Sequence, residues 1–318
     1  MATLRPIRLG ISRCLLGEQV RYDGGHKRDR FVTDVLSRYV EWVPVCPEVE
    51  AGFGTPREAM RLVGEADAPR LLTIRTERDL TNPLVQFTAR KLGVFDGTDL
   101  SGFIFKKDSP SCGIDRVRLF NRHGMPSRNG VGLFARAFME RFPLVPVEDE
   151  GRLCDPVIRD NFIERVFCYH RWLELARGPL VRNEIVAFHT VHKYLLLAHS
   201  RSHYQELGRL VAQADRYRPK EVMARYGALF MAALTVTATR RKHVNVLQHI
   251  VGHMKDRLKP GERSEMEGLL EDYRLGHVPL IVPITLVKHY VRGYRVDYVR
   301  DQVYLNPHPK EMKLRNLI

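Results

Sequence analysis

Residues 7–14 read IRLGISRC, a short apolar run that closes on Ser, Arg and a cysteine. Two later stretches repeat the pattern. WVPVC occupies 42–46, and LSGFIF at 100–105 runs into KKDSPSCG. Each run is rich in β-branched or aromatic residues and gives way to Gly, Pro or Ser, as a buried strand entering a loop does. In an open α/β sheet, ligands collect outside the carboxyl ends of parallel strands. Cys14, Cys46 and Cys112, with 31 and 65 residues between them, are therefore predicted to face one spot from three strand ends.

Working outward, the first half alternates strands and helices, which predicts an α/β domain on an open, mostly parallel sheet of Rossmann or flavodoxin type. RCLLGEQVRYDGGHKRD, after the first strand, reads as a functional loop. Helical spacing covers residues 30–39, 82–92 and 130–142, and strands are expected at 70–75 and 117–120. FPLVPVEDEGRL, with two prolines and an acidic run, reads as a linker. The chain is thus divided into a domain over 1–145 and another over 146–318. Beyond the linker nearly every segment has a 3.6-residue period: 160–175, 184–199, 204–214, 220–233, 239–258, 261–275 and 283–294. This half is expected to be all-α. The tail QVYLNPHPKEMKLRNLI is expected to lie extended over the surface.

The 318 residues carry 51 Lys and Arg against 37 Asp and Glu, a net charge of +14. Residues 1–150 contribute +3 and residues 151–318 contribute +11, so the second half is the expected platform for a polyanion. No apolar run approaches the roughly 20 residues of a membrane span, and the first residues lack the apolar core of a secretory signal. A cytoplasmic protein without a membrane partner is expected. Its five cysteines are expected to be free, metal-bound or catalytic.

Cys154 and Cys168 read as buried core residues, whereas Cys14, Cys46 and Cys112 lie in loops of Gly, Pro and polar residues. For these three a core role, a catalytic zinc and an iron–sulfur cluster all stand open; paired CxxC spacing, the mark of structural zinc, is missing. Glu48, two residues past Cys46, has the reach of a general acid or base. Ser109 and Ser111 bracket Pro110; either can hydrogen-bond a substrate, relay a proton or shape the turn. Arg21, Tyr22 and Asp23, and Lys106 to Asp108, form polar clusters beside the cysteines, suited to holding a base or phosphate. The histidines of the second half read as structural or RNA-contacting rather than metal ligands.

CLLG with VRYDG (14–17 and 20–24), VCPE with GFGTPRE (45–48 and 52–58) and KKDSPSCG (106–113) together resemble the TudS thiouracil desulfurase family. HKYLLLAHS (192–200), RKHVNVLQHIVGHMK (241–255), PLIVPITLVKHY (279–290) and YLNPHP (304–309) resemble the YbgA-like helical domain. The fused arrangement looks like the RudS type of desulfidase, which acts on 4-thiouridine of tRNA. The resemblance implies a 4Fe-4S cluster on Cys14, Cys46 and Cys112 with one iron left open. It implies hydrolytic removal of sulfur from a thiolated pyrimidine without net redox change. Glu48 would handle protons, and Ser109 would position or protonate the leaving sulfur. Arg21, Tyr22, Asp23 and Ser111 are candidate substrate contacts. Arg240, Arg241, Lys242, Lys255 and Lys288 are candidate RNA contacts. Free thiouracil or a thionucleoside is the alternative substrate, and a non-enzymatic, RNA-binding redox sensor is the alternative function.

Overall fold

The computed structural model of the protein describes residues 5–178 and 181–318, and the chain divides into two compact units, Met1–Cys154 and Asp155–Ile318. The first unit contains β1 (Arg8–Ser12), β2 (Glu41–Val45), the single turn α1 (Pro47–Glu50), β3 (Met60–Val63), β4 (Arg70–Thr73) and α2 (Thr81–Phe95). It continues with β5 (Leu100–Phe105), β6 (Val117–Phe120), β7 (Pro126–Gly130), α3 (Leu133–Arg141) and β8 (Val147–Asp149).

One sheet has the order β2-β1-β5-β8, with every pair parallel. The chain steps from β1 to β2 on one side and returns to β5 on the other. The crevice beyond β1 and β5 is therefore the point at which the winding reverses, where such sheets bind ligands. β5 is buried along its whole length, as a strand covered on both faces must be. Its Phe103 and Phe105 meet Phe134 and Phe138 of α3, and Phe95 of α2 packs edge-on against Phe103 and Phe138. Burying each ring is worth roughly 2 kcal/mol. Gly10 makes this possible: a Cβ there would stand 2.1 Å from the Phe103 ring.

A second sheet, β4-β3-β6-β7, joins two antiparallel hairpins through the parallel pair β3 and β6. The expected strands at 70–75 and 117–120 are its β4 and β6. Its other two strands are additions to the expected fold. The helix expected from residue 130 begins at Leu133, because the residues before it belong to β7. The helix expected over 30–39 is an irregular pair of helical turns spanning Phe31–Arg38 that buries Val32 and Leu36.

The domain boundary expected at 145 falls instead after Cys154. Val147–Asp149, inside the supposed linker, pairs with β5 and completes the first sheet. Cys154, expected in the core, is exposed; it closes a short turn with its thiol 3.5 Å from the Glu150 carbonyl.

The second unit is helical as expected: α4 (Pro156–Arg177), α5 (Arg182–His199), α6 (Arg201–Ala212), α7 (Pro219–Thr235), α8 (Arg240–Gly252), α9 (Pro260–Leu275), α10 (Ile281–Gly293) and the single turn α11 (Asp297–Arg300). Asp155 caps α4, its carboxylate accepting from the N–H groups of Val157 and Ile158, with Pro156 in the first turn. Trp172 of α4 stacks on Tyr226 of α7 at 5.4 Å. The contact depends on Gly227, whose Cβ would lie 2.8 Å from the indole.

The tail is not extended. It coils in short helical turns that bury Tyr304, Leu305, Met312, Leu314 and Arg315. The Arg315 guanidinium donates to Glu164 Oε2 of α4 at 2.9 Å and to the Tyr304 carbonyl at 2.6 Å. His199 Nε2 stands 2.5 Å from the other Glu164 oxygen, and His308 bonds Asp160 at 2.9 Å. Cys168 is buried in this unit, as expected.

Candidate functional site

The three strand-end cysteines come together. Cys14 sits in the turn that leaves β1, Cys46 follows β2 and precedes α1, and Cys112 lies in the loop after β5. Because β2, β1 and β5 are neighbours and parallel, all three thiols emerge at one edge of the sheet. All are buried, and all line one cavity of about 490 Å³. Glu48, Ser109, Arg21 and Tyr22 line it too. Ala59, Met60, Ile74 and Arg118 form a wall contributed largely by the second sheet.

The predicted site residues sort clearly. Glu48, Ser109, Arg21 and Tyr22 face the cavity. Ser111 is fully buried and lies behind the cavity lining, beside Glu48. Asp23 is exposed, outside the lining, and holds Arg21 at 3.4 Å. Neither Ser111 nor Asp23 lines the cavity itself.

Glu48 is the hub. Its Oε1 accepts from the Ser111 hydroxyl, and Ser109 Oγ is 3.5 Å away. Its Oε2 accepts from Arg57 Nε at 3.0 Å and from Arg57 Nη2. Ser109 Oγ receives the N–H groups of Ser111 at 3.3 Å and Cys112 at 3.1 Å, and is 3.1 Å from Ser111 Oγ. With its lone pairs engaged, the Ser109 hydroxyl is left to act as a donor. The Cys112 loop is gripped from beneath: the Ser111 carbonyl accepts from the Phe134 and Ala135 N–H groups, and Gly132 N–H bonds the Gly113 carbonyl. Glu50, by contrast, faces away. It accepts from Cys46 N–H at 2.9 Å and pairs with Lys91 of α2 at 2.9 Å.

Burial pushes the Cys14 thiol up to about 12, although the Lys106 ammonium pulls the other way. Burial pushes Cys112 well above the usual thiol range, and the Glu48 charge adds to it. Burial also raises Cys46, against the backbone N–H of Val49. Three buried thiols on a shared cavity become thiolates only with a cation to offset the loss of water. Among the described residues, no group of three or more His, Cys, Asp or Glu side chains can hold a metal ion together. Three soft sulfur donors spread around a cavity suit a cluster of several irons, in which each thiolate binds its own iron.

Sequence reasoning missed Arg57 and the cavity wall from β3 and β6. Arg57 lay in the quoted GFGTPRE stretch but carried no local sign of its partner. In the second unit, Arg240, Arg241 and Lys255 are exposed. Lys242 is half-buried and donates to the His199 carbonyl at 2.6 Å, while Lys288 donates to exposed Asn306 at 2.5 Å on the surface. Burial lowers Lys288. His192, His199 and His243 are buried, each with a hydrogen-bond partner, which fits the structural one of the two roles, structural or RNA-contacting, expected of them.

Comparison with known proteins agrees with this anatomy. Residues 9–150 match the family model described as 2-thiouracil desulfurase, and residues 193–309 match the one described as a protein of unknown function, DUF1722. The uncharacterized protein YbgA of Escherichia coli (strain K12) is 29% identical over 158 residues, covering 49% of this chain and 94% of that protein. The uncharacterized protein YbbK of Bacillus subtilis (strain 168) is 30% identical over 108 residues, covering 32% of this chain and 71% of that protein. A solved structure described as the [4Fe-4S]-dependent thiouracil desulfidase TudS is 28% identical, with a TM-score of 0.39, over 46% of this chain and 93% of that one. With its three thiols and Glu48 on one cavity, the chain belongs to the 2-thiouracil desulfurase family, whose domain is here fused to a YbgA-like helical unit.

Proposed function

We propose that the protein is a [4Fe-4S]-dependent hydrolytic desulfidase whose substrate is 4-thiouridine in tRNA. The observation that carries the enzymatic reading is the convergence of Cys14, Cys46, Cys112, Glu48 and Ser109 on one cavity. The three cysteines would hold the cluster. Bound there, it supplies Lewis acidity and a soft acceptor for sulfur. The chain's own residues handle the protons. Glu48 takes a proton from the attacking water, and Ser111 and Arg57 hold its carboxylate in place. Ser109 donates toward the departing sulfur. The balance is one C=S bond and one water converted to C=O, hydrosulfide and one proton, with no change in oxidation state.

The +11 surplus of the second half supports a role in holding the phosphate backbone while the thiolated base enters the cavity. Exposed Arg240, Arg241 and Lys255 are the contacts that remain available. A cytoplasmic location accords with such a substrate. A second reading, desulfurisation of free thiouracil or a thionucleoside, is favoured by the match of residues 9–150 to the family model described as 2-thiouracil desulfurase.

The test is anaerobic reconstitution with iron and sulfide, then turnover on tRNA containing 4-thiouridine and on free thiouracil. The expected result is hydrosulfide release from the tRNA that is abolished in Cys112→Ala and falls about 10²- to 10⁴-fold in Glu48→Gln. Turnover of free thiouracil alone transfers the substrate assignment to the second reading. A loaded protein that leaves sulfur on every thiolated pyrimidine overturns the enzymatic reading.

A further inference from the structure

Arg57 occupies an unusual position for a cation. Its side chain is 7% exposed, and five donor contacts fan out from it to Glu48, Val20, Gly54 and, at 3.5 Å, the Thr55 hydroxyl. Nε and Nη2 reach Glu48, while Nη1 donates to the Val20 carbonyl at 3.0 Å and the Gly54 carbonyl at 2.9 Å. Its backbone N–H bonds the Tyr22 carbonyl at 2.9 Å. Val20 and Tyr22 belong to the loop after Cys14, and the Val20 carbonyl also lies 3.8 Å from Cys46 Sγ. Gly54 belongs to the loop after Cys46. Glu48, at the other end of the guanidinium, reaches Ser109 and Ser111 in the Cys112 loop. One chain of polar contacts thus ties together all three cysteine-bearing loops, and among the described residues its cation is Arg57.

We propose that Arg57 is a positioning residue that acts through Glu48 and the Val20 and Gly54 carbonyls, holding the general base in its working rotamer and the three thiols in register before any cofactor arrives. A planar fork is required. The single nitrogen of a lysine cannot bond a carboxylate and two carbonyls on separate loops, so charge alone does not reproduce the role.

The test uses the full chain with Arg57→Ala, Arg57→Lys and Arg57→Gln, and Arg90→Ala on the exposed face of α2 as control. The first readout needs no activity: the rate of iodoacetamide labelling of Cys14, Cys46 and Cys112 in the reduced, metal-free protein, resolved by peptide mass. The three Arg57 variants are expected to label roughly tenfold faster than wild type, since the loops open locally without their tie. Amide hydrogen exchange in β5, buried along its whole length, is expected to stay slow and reports that the fold of the first unit persists; Gln carries the test where Ala does not fold.

The second readout rests on the desulfidase reading. In reconstituted protein normalised to iron content, kcat is expected to fall about 10²-fold with KM changed less than about threefold. Millimolar guanidinium is expected to restore part of the loss in Arg57→Ala. Thiol labelling equal to that of the Arg90→Ala control overturns the proposal. So does wild-type kcat in the variants, or full restoration of both readouts by lysine. If the wild type turns over no thiolated pyrimidine, the desulfidase reading fails, and the labelling arm still decides the role of Arg57.

Discussion

A methyl group at Gly132 has nowhere to go. Its Cβ would stand 2.5 Å from the Ser111 carbonyl carbon and 2.8 Å from the Cys112 nitrogen, both backbone atoms. Gly132 also leads into α3, whose first N–H groups hold the Ser111 carbonyl. Gly132→Ala is therefore expected to displace the Cys112 loop and cost about 10- to 100-fold in cluster affinity, as loss of an outer support does. Iron retained per chain under a chelator measures it. Gly93→Ala, in α2 with no atom within 4 Å of the new Cβ, serves as control and is expected to stabilise by roughly 0.5–1 kcal/mol. Residues such as Cys46 and Glu48 were legible in the sequence because strand, thiol and carboxylate fall within a few positions. Arg57 and Gly132 were not: Glu48 is only 9 residues from Arg57, but the Val20 carbonyl it ties in is 37 residues away and the backbone that crowds Gly132 about 20, and neither residue type announces such a partner.

At the scale of elements, legibility followed burial. β1, β2 and β5 were evident from apolar runs, and the long helices of the second unit from their period. β7 was hidden because four of its five residues are exposed, so it has no apolar pattern to read. β8 was hidden because it is three residues long and acidic, and an acidic stretch between prolines suggests a linker. The tail misled for a related reason: prolines signal the end of a helix but say nothing of the buried partners that fold the chain back. Arg315 is the tail's anchor. Replacing it with Ala takes away the guanidinium paired with buried Glu164, and is expected to destabilise the second unit by about 3 kcal/mol. Urea unfolding followed through the fluorescence of buried Trp172, in a Trp42→Phe background that silences the first unit, measures this.

At the scale of the molecule, acid is expected to act on the helical unit. Burial pulls His192 and His243 down to about 3, so both are neutral in the folded state. An unfolded chain takes up these protons below about 6.5. The folded state then binds fewer protons than the unfolded one, and stability rises with pH across that interval. The contribution is complete above about pH 6.5 and is lost as the pH falls toward 3. Glu164 acts in the same sense at lower pH: although burial opposes it, His199 and Arg315 hold its carboxyl below the usual range. The urea midpoint reported by Trp172 is expected to decline steadily below pH 6.5. His192→Phe, which keeps a ring against Phe188 and removes a titrating group, is expected to flatten that decline. An unchanged slope in this variant refutes the assignment.

The order β2-β1-β5 has a consequence for biosynthesis. The thiols come from positions 14, 46 and 112, and the last is fixed by N–H groups of residues 132–135. A nascent chain leaving the ribosome has no complete thiol set until those residues have emerged and β5 has docked beside β1. Unlike small zinc domains, in which the metal organises the fold, this chain must build its sheet first. On the proposed reading, iron and sulfide would therefore be delivered to a folded client, and the cofactor would be the last part to be installed.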